Sequence, residues 1–266
     1  MPNTTNSAGN PQTGHINQPK QSLRTNKSIN WKTIWIAPTL SCIAQILIWW
    51  TYPLIYSKQL SAGQWQNNPW LMTYSIFLAL AIYYTFNDAF KGWRHYLLLL
   101  VPLFLLYFLY HEVTIQQFIL LFLMPISLIL FHFKWLNLQN IFGLILYSGI
   151  STLSMPVVIF YQQNTFLTKP FLLSLLPLLL SYLFYMSIIF VPKGKKKRMT
   201  ALTFGVMLLL NTLSLPWNIW TFLAIIIIVF TWMVLINLDL KQKFRMSFFS
   251  ILQAITVLLI FLQQSR

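Results

Sequence analysis

Acids are the scarcest feature of this chain: Asp88, Glu112 and Asp239 are all it has in 266 residues. Charged residues of both signs reach only 8%, against about 25% in a soluble domain. So little charge cannot cover a water-facing surface, which excludes an ordinary soluble fold and makes hydrocarbon the solvent. The single cysteine, Cys42, excludes an internal disulfide and a multi-cysteine metal site. Inside an apolar run it reads as a buried structural thiol. Eight glycines leave no Gly-rich phosphate loop, and no Walker sequence or Ser-His-Asp order is present. So few carboxylates also remove the oxygen ligands that a magnesium site needs. No catalytic residue, metal site or cofactor is expected.

What is abundant is apolar. Hydrophobic residues make up 57% and aromatic residues 17%, and Trp and Tyr favour the bilayer interface. The net charge is +15. The bases sit between apolar runs rather than on a polar domain, so they read as topology-setting charge and not as a nucleic-acid surface.

Residues 1–30 are rich in Asn, Thr, Gln, Ser, Pro and Gly and have almost no large apolar side chains. Nothing there offsets the entropy of ordering, so a disordered cytoplasmic tail is expected. Its bases Lys20, Arg24 and Lys27 share the bias of organellar transit peptides, but without an apolar face at helical spacing. Residues 31–266 read as one multi-span domain. A spanning helix needs about 20 mostly apolar residues. The runs are Thr33–Tyr56, Pro69–Thr85, Tyr96–Tyr110, Ile115–Phe131, Ile141–Tyr161, Pro170–Val191, Met199–Leu215, Trp217–Ile236 and Ser247–Leu262. The expected fold is therefore all-α, a polytopic bundle of nine transmembrane helices. Pro38, Pro102, Pro125, Pro156 and Pro177 fall inside these runs, where kinks are tolerated and open cavities.

Charge counting orients the chain. With the tail inside, the tail and the loops after runs two, four, six and eight hold 15 of the 18 Lys and Arg. The outer segments hold only Lys58, Lys169 and Arg266. The positive-inside rule then predicts the N-terminus inside and the C-terminus outside. That places the glycosylation patterns at Asn3-Thr4-Thr5 and Asn26-Lys27-Ser28 on the cytoplasmic side.

The strongest local signal is Val191-Pro192-Lys193-Gly194-Lys195-Lys196-Lys197-Arg198, read as a basic loop between two runs. Four to eight bases beside a membrane helix can hold anionic headgroups. Lys193, Lys195, Lys196, Lys197 and Arg198 are the headgroup candidates, and anionic or phosphate-bearing lipids the expected partners. Asn87-Asp88 closes the second run on the cytoplasmic side, with Arg94 close behind. The layout resembles UbiA-type prenyltransferases, which have nine helices and hold magnesium against a diphosphate at an Asn-Asp-rich motif. Here Asn87-Asp88 is followed by Ala89-Phe90-Lys91-Gly92-Trp93-Arg94 and the later loop is basic, so the further acids of that family are missing. Asp88 reads as a helix-end residue pairing with Lys91 or Arg94. His95, His111 and His132 are interfacial, and His111-Glu112 forms an outer polar turn. Gln45 and Asn211, inside the runs, read as packing residues that find partners on other helices.

A second resemblance rests on Lys27 with Pro38-Thr39-Leu40, on Trp93-Arg94-His95-Tyr96 before the third run, and on Tyr182-Leu183-Phe184-Tyr185 before the basic loop. These segments resemble the YwiC-like membrane proteins of bacteria, over most of residues 27–215. The family's Gln-His-Gly-Ala-Trp block is replaced here by Ser28-Ile29-Asn30-Trp31-Lys32. The resemblance implies a bacterial multi-pass fold and no reaction.

The expectation is a non-enzymatic protein of the bacterial cell membrane. It would handle lipid-like or small apolar substrates or assist a membrane or envelope complex. The alternative activity is that of a diverged, prenyltransferase-like lipid-modifying enzyme, and the alternative location an organellar inner membrane. An enzyme would bring Asp88 and Glu112 or a histidine to one pocket; a binder or assembly factor would show an apolar cleft, or a flat interface, without them.

Overall fold

Apolar runs of this length leave the backbone no water to bond with, so each is driven to satisfy its own amides as a helix. The computed structural model describes residues 31–56, 68–87, 90, 94–163, 169–191, 194–237 and 242–264. Every described regular element is helical. The helices are α1 (Trp31–Tyr56), α2 (Pro69–Asn87), α3 (Arg94–Leu109), α4 (Ile115–His132), α5 (Ile141–Gln163), α6 (Lys169–Ser174), α7 (Leu176–Phe190), α8 (Gly194–Leu213), α9 (Ile219–Asn237) and α10 (Gln242–Gln264). Contacts divide the chain between Trp31 and Lys32, and the predicted tail lies outside the described residues.

Six helical segments are long and apolar enough to cross a membrane: Pro69–Asn87, Ile115–His132, Ile141–Gln162, Lys169–Phe190, Ile219–Asn237 and Phe244–Gln263. Trp35–Thr51 and Tyr96–Leu109 are shorter apolar stretches. The sixth predicted run is divided between α6 and α7. Leu175 is a turn residue, and Pro177 lies in the first turn of α7. A first-turn proline is tolerated because its missing N–H would have no helical acceptor.

The basic segment departs from the loop predicted for it. Gly194 has φ +82, a left-handed conformation open to glycine, and α8 begins there. Lys195–Arg198 therefore form the first turn of a helix, one turn longer than the apolar run alone. Lys and Arg are good helix formers, and the helical turn leaves Lys195, Lys196 and Arg198 exposed.

Helix directions follow from side-chain pairs. Trp70 stacks on Phe108 with centroids 4.7 Å apart, and Asn68 donates to Glu112 at 2.8 Å. These join the amino end of α2 to the carboxyl end of α3, as an antiparallel hairpin. Ser154 donates to the Leu120 carbonyl at 2.9 Å and Ser151 to the Met124 sulfur at 3.9 Å, so α4 and α5 are antiparallel too. By contrast, Ser247 donates to the Ala37 carbonyl at 2.7 Å and Ser41 to Ser250 at 3.3 Å. These contacts advance together along both helices, so α1 and α10 run in parallel.

An aromatic cluster closes one end of the bundle. Phe86 at the end of α2 meets Phe90, Tyr147 and Phe190 at 4.8–5.5 Å. Phe131 of α4 meets Phe90, Tyr147 and Phe190 at 5.5–6.3 Å. The carboxyl ends of α2, α4 and α7 thus share this end with the first half of α5. Phe90 adopts φ 62, unusual for a bulky residue, and its N–H donates to the Thr85 carbonyl at 3.1 Å. Edge-to-face ring packing, worth about 0.5–1.5 kcal/mol per pair beyond area burial, offsets that backbone strain.

Candidate functional site

The described bundle carries an open groove of about 310 Å³ between α4 and α5. Leu120 and Leu123 form one wall; Ile145, Gly149, Ile150 and Leu153 form the other. Ile145, Gly149 and Leu153 recur every fourth residue, which places them on one face of α5. Gly149 makes the hollow: a Cβ added there would meet nothing within 4 Å. Ser154 also borders the groove, but its hydroxyl is used by the Leu120 carbonyl. The groove therefore presents hydrocarbon almost throughout, which suits an acyl or prenyl chain and offers nothing to a polar ligand.

At the start of α8, Lys195, Lys196 and Arg198 are exposed and Lys197 is half-buried; Lys193 lies outside the described residues. Four bases at a helix amino terminus oppose the positive end of the helix dipole. An anion placed there would meet both the bases and the positive end of the helix dipole. This turn is thus electrostatically suited to a headgroup phosphate.

Of the Asn-Asp pair compared with a prenyltransferase motif, the described Asn87 lies at the far end of α2 from Glu112. Asn87 is the last residue of α2 and half-buried. Arg94 is the first residue of α3. Asp88 lies outside the described residues. Glu112 bonds Asn68 at the opposite end of α2, and a helix of 19 residues spans about 28 Å at 1.5 Å per residue. His111 is exposed beside Tyr107 and Tyr110, at the Glu112 end. His132 holds the Leu128 carbonyl through Nδ1 at 2.7 Å. Among the described residues, no group of three His, Cys, Asp or Glu is placed to hold a metal ion.

Gln45, which reads as a packing residue, bonds another helix: its amide donates to the Tyr182 hydroxyl. Gln253, which donates to Ser181 at 3.2 Å, and the pair Tyr185–Thr256 at 2.5 Å are not apparent from the sequence pattern. A glutamine in mid-run was the available signal. Its partners lie on helices far away in the chain, where periodicity is silent.

Comparison of the chain with protein-family models, with curated proteins and with solved structures finds no match.

Proposed function

We propose that this chain is a non-enzymatic, nine-span protein of a bacterial cell membrane that binds lipid. Its tail is cytoplasmic and its C-terminus outside, and its fold is that of the YwiC-like proteins it resembles. The groove between α4 and α5 carries the reading. It is apolar, it is open, and it lies on two helices long and apolar enough to cross a membrane. A cleft so placed faces hydrocarbon, so its occupant is a lipid chain or a small apolar molecule.

Helix directions support the nine-span topology. Parallel α1 and α10 suit the first and last of an odd number of crossings. Gln263, near the end of α10, donates to the Pro216 carbonyl in the turn between α8 and α9 at 3.3 Å, as expected of two segments on the same side. The aromatic cluster gathers the ends of α2, α4 and α7, and the bases Lys91, Arg94, Lys134 and Lys193–Arg198 follow those ends directly. Their order in the sequence supports a cytoplasmic side at those ends by the positive-inside rule. A binder rather than a prenyltransferase is supported by the separation of Glu112 from Asn87 and by the basic, acid-free start of α8.

Native mass spectrometry of the full chain, released from membrane extracts, tests the lipid reading. The wild type should retain a lipid. Gly149→Phe should lose it, because its Cβ has open space around it and the ring beyond occupies the groove in place of a lipid chain. Equal retention by both proteins, or no lipid on the wild type, would overturn the proposal.

A further inference from the structure

The centre of the bundle holds polar groups with an unused bonding capacity. Gln45 on α1, Ser181 and Tyr182 on α7 and Gln253 on α10 are each at most 2% exposed. The Gln45 amide N–H donates to Tyr182 and that of Gln253 to Ser181. The carbonyl oxygens of both glutamines, Oε1 in each case, are buried and accept no hydrogen bond. The register between the parallel α1 and α10 brings these residues to one level. Ala37 pairs with Ser247 and Ser41 with Ser250. Gln45 and Gln253 follow about one turn beyond, roughly 6 Å further along α1 and roughly 4.5 Å further along α10.

A buried acceptor left without a donor costs about 1–3 kcal/mol, and hydrocarbon around the bundle supplies no substitute. Two such acceptors at one level have a common chemical need: a molecule with two N–H or O–H donors. The side chains that bond the two amides, Tyr182 and Ser181, are neutral, so nothing there compensates a charged guest. We propose that the interface of α1, α7 and α10 is an internal binding site for a small uncharged molecule that donates hydrogen bonds to Gln45 Oε1 and Gln253 Oε1. That molecule is either a sealed water or a neutral solute of the urea type. The site shares no residue with the α4–α5 groove and does not depend on the lipid reading.

Cryo-electron microscopy of the full chain in lipid nanodiscs, at a resolution that shows ordered water, should reveal non-protein density within hydrogen-bonding reach of both carbonyls. The proposal is overturned if the two amides bond protein groups directly and the space between them is closed. Stopped-flow light scattering on proteoliposomes then separates the two occupants. Density together with the urea permeability of protein-free vesicles identifies sealed water. Density with raised urea permeability, lost in Gln45→Met/Gln253→Met, identifies an exchangeable solute site. The map of the unmutated chain decides the proposal even where the double variant does not fold.

Discussion

A Gly143→Ala chain should unfold at a markedly lower temperature than the wild type. Gly143 lies in the first turn of α5, and a Cβ there would stand 1.7 Å from the Leu138 carbonyl oxygen and 2.7 Å from its carbon. The obstacle is backbone, so no side-chain rotation relieves it. The connector is also held by its own bonds. Asn140 donates to the Asn137 carbonyl at 2.8 Å, and its side-chain oxygen accepts from the N–H groups of Phe142 at 2.8 Å and Gly143 at 3.3 Å. Moving Leu138 aside strains this cap, worth about 1 kcal/mol, in addition to about 1–3 kcal/mol for forcing a group into packed space. The expected loss is therefore about 2–4 kcal/mol. Gly149→Ala is the matched control, because its Cβ meets nothing and should leave the transition nearly unmoved. Thermal unfolding of the detergent-purified chains compares the two. Equal midpoints for Gly143→Ala and the wild type would show that the α4–α5 connection is not as described.

The second large effect concerns the basic turn. Replacing Lys195, Lys196 and Lys197 with Ala should weaken the hold on anionic lipid by about 100-fold. Each base near a membrane surface contributes about 1 kcal/mol of attraction, and about 1.4 kcal/mol is a factor of 10. The loss should shrink as salt rises, since exposed charges are screened over roughly 8 Å at physiological ionic strength. Titrating phosphatidylglycerol into nanodiscs that hold the full chain, with native mass spectrometry as readout, measures it. Unchanged retention would leave these bases with a role in topology alone.

Much of the fold could be read before any contact was known. Each long apolar run is helical over most of its described length, because hydrocarbon-length runs leave the backbone no alternative. The finer errors are local and physical. Pro177 reads as a kink within a span, whereas α7 restarts around it after Leu175. Lys195–Arg198 read as a loop because charge usually marks one, whereas Gly194 lets the helix begin before them. The groove was not legible at all. Gly149 is visible as a glycine, but the hollow depends on Leu120 and Leu123 standing across from it. The level pairing of Gln45 with Gln253 likewise rests on contacts between the two ends of the chain, beyond the reach of local periodicity.

Lipid access and sidedness both depend on how the chain is threaded, so reporter fusions are the most direct measurement. An alkaline phosphatase reporter, active only outside, and a fluorescent reporter, active only inside, would each be placed after Lys169 and within Lys193–Arg198. The expected result is an outside signal after Lys169 and an inside signal at Lys193–Arg198. The reverse pattern, or the same side for both, would contradict the nine-span topology with a cytoplasmic N-terminus.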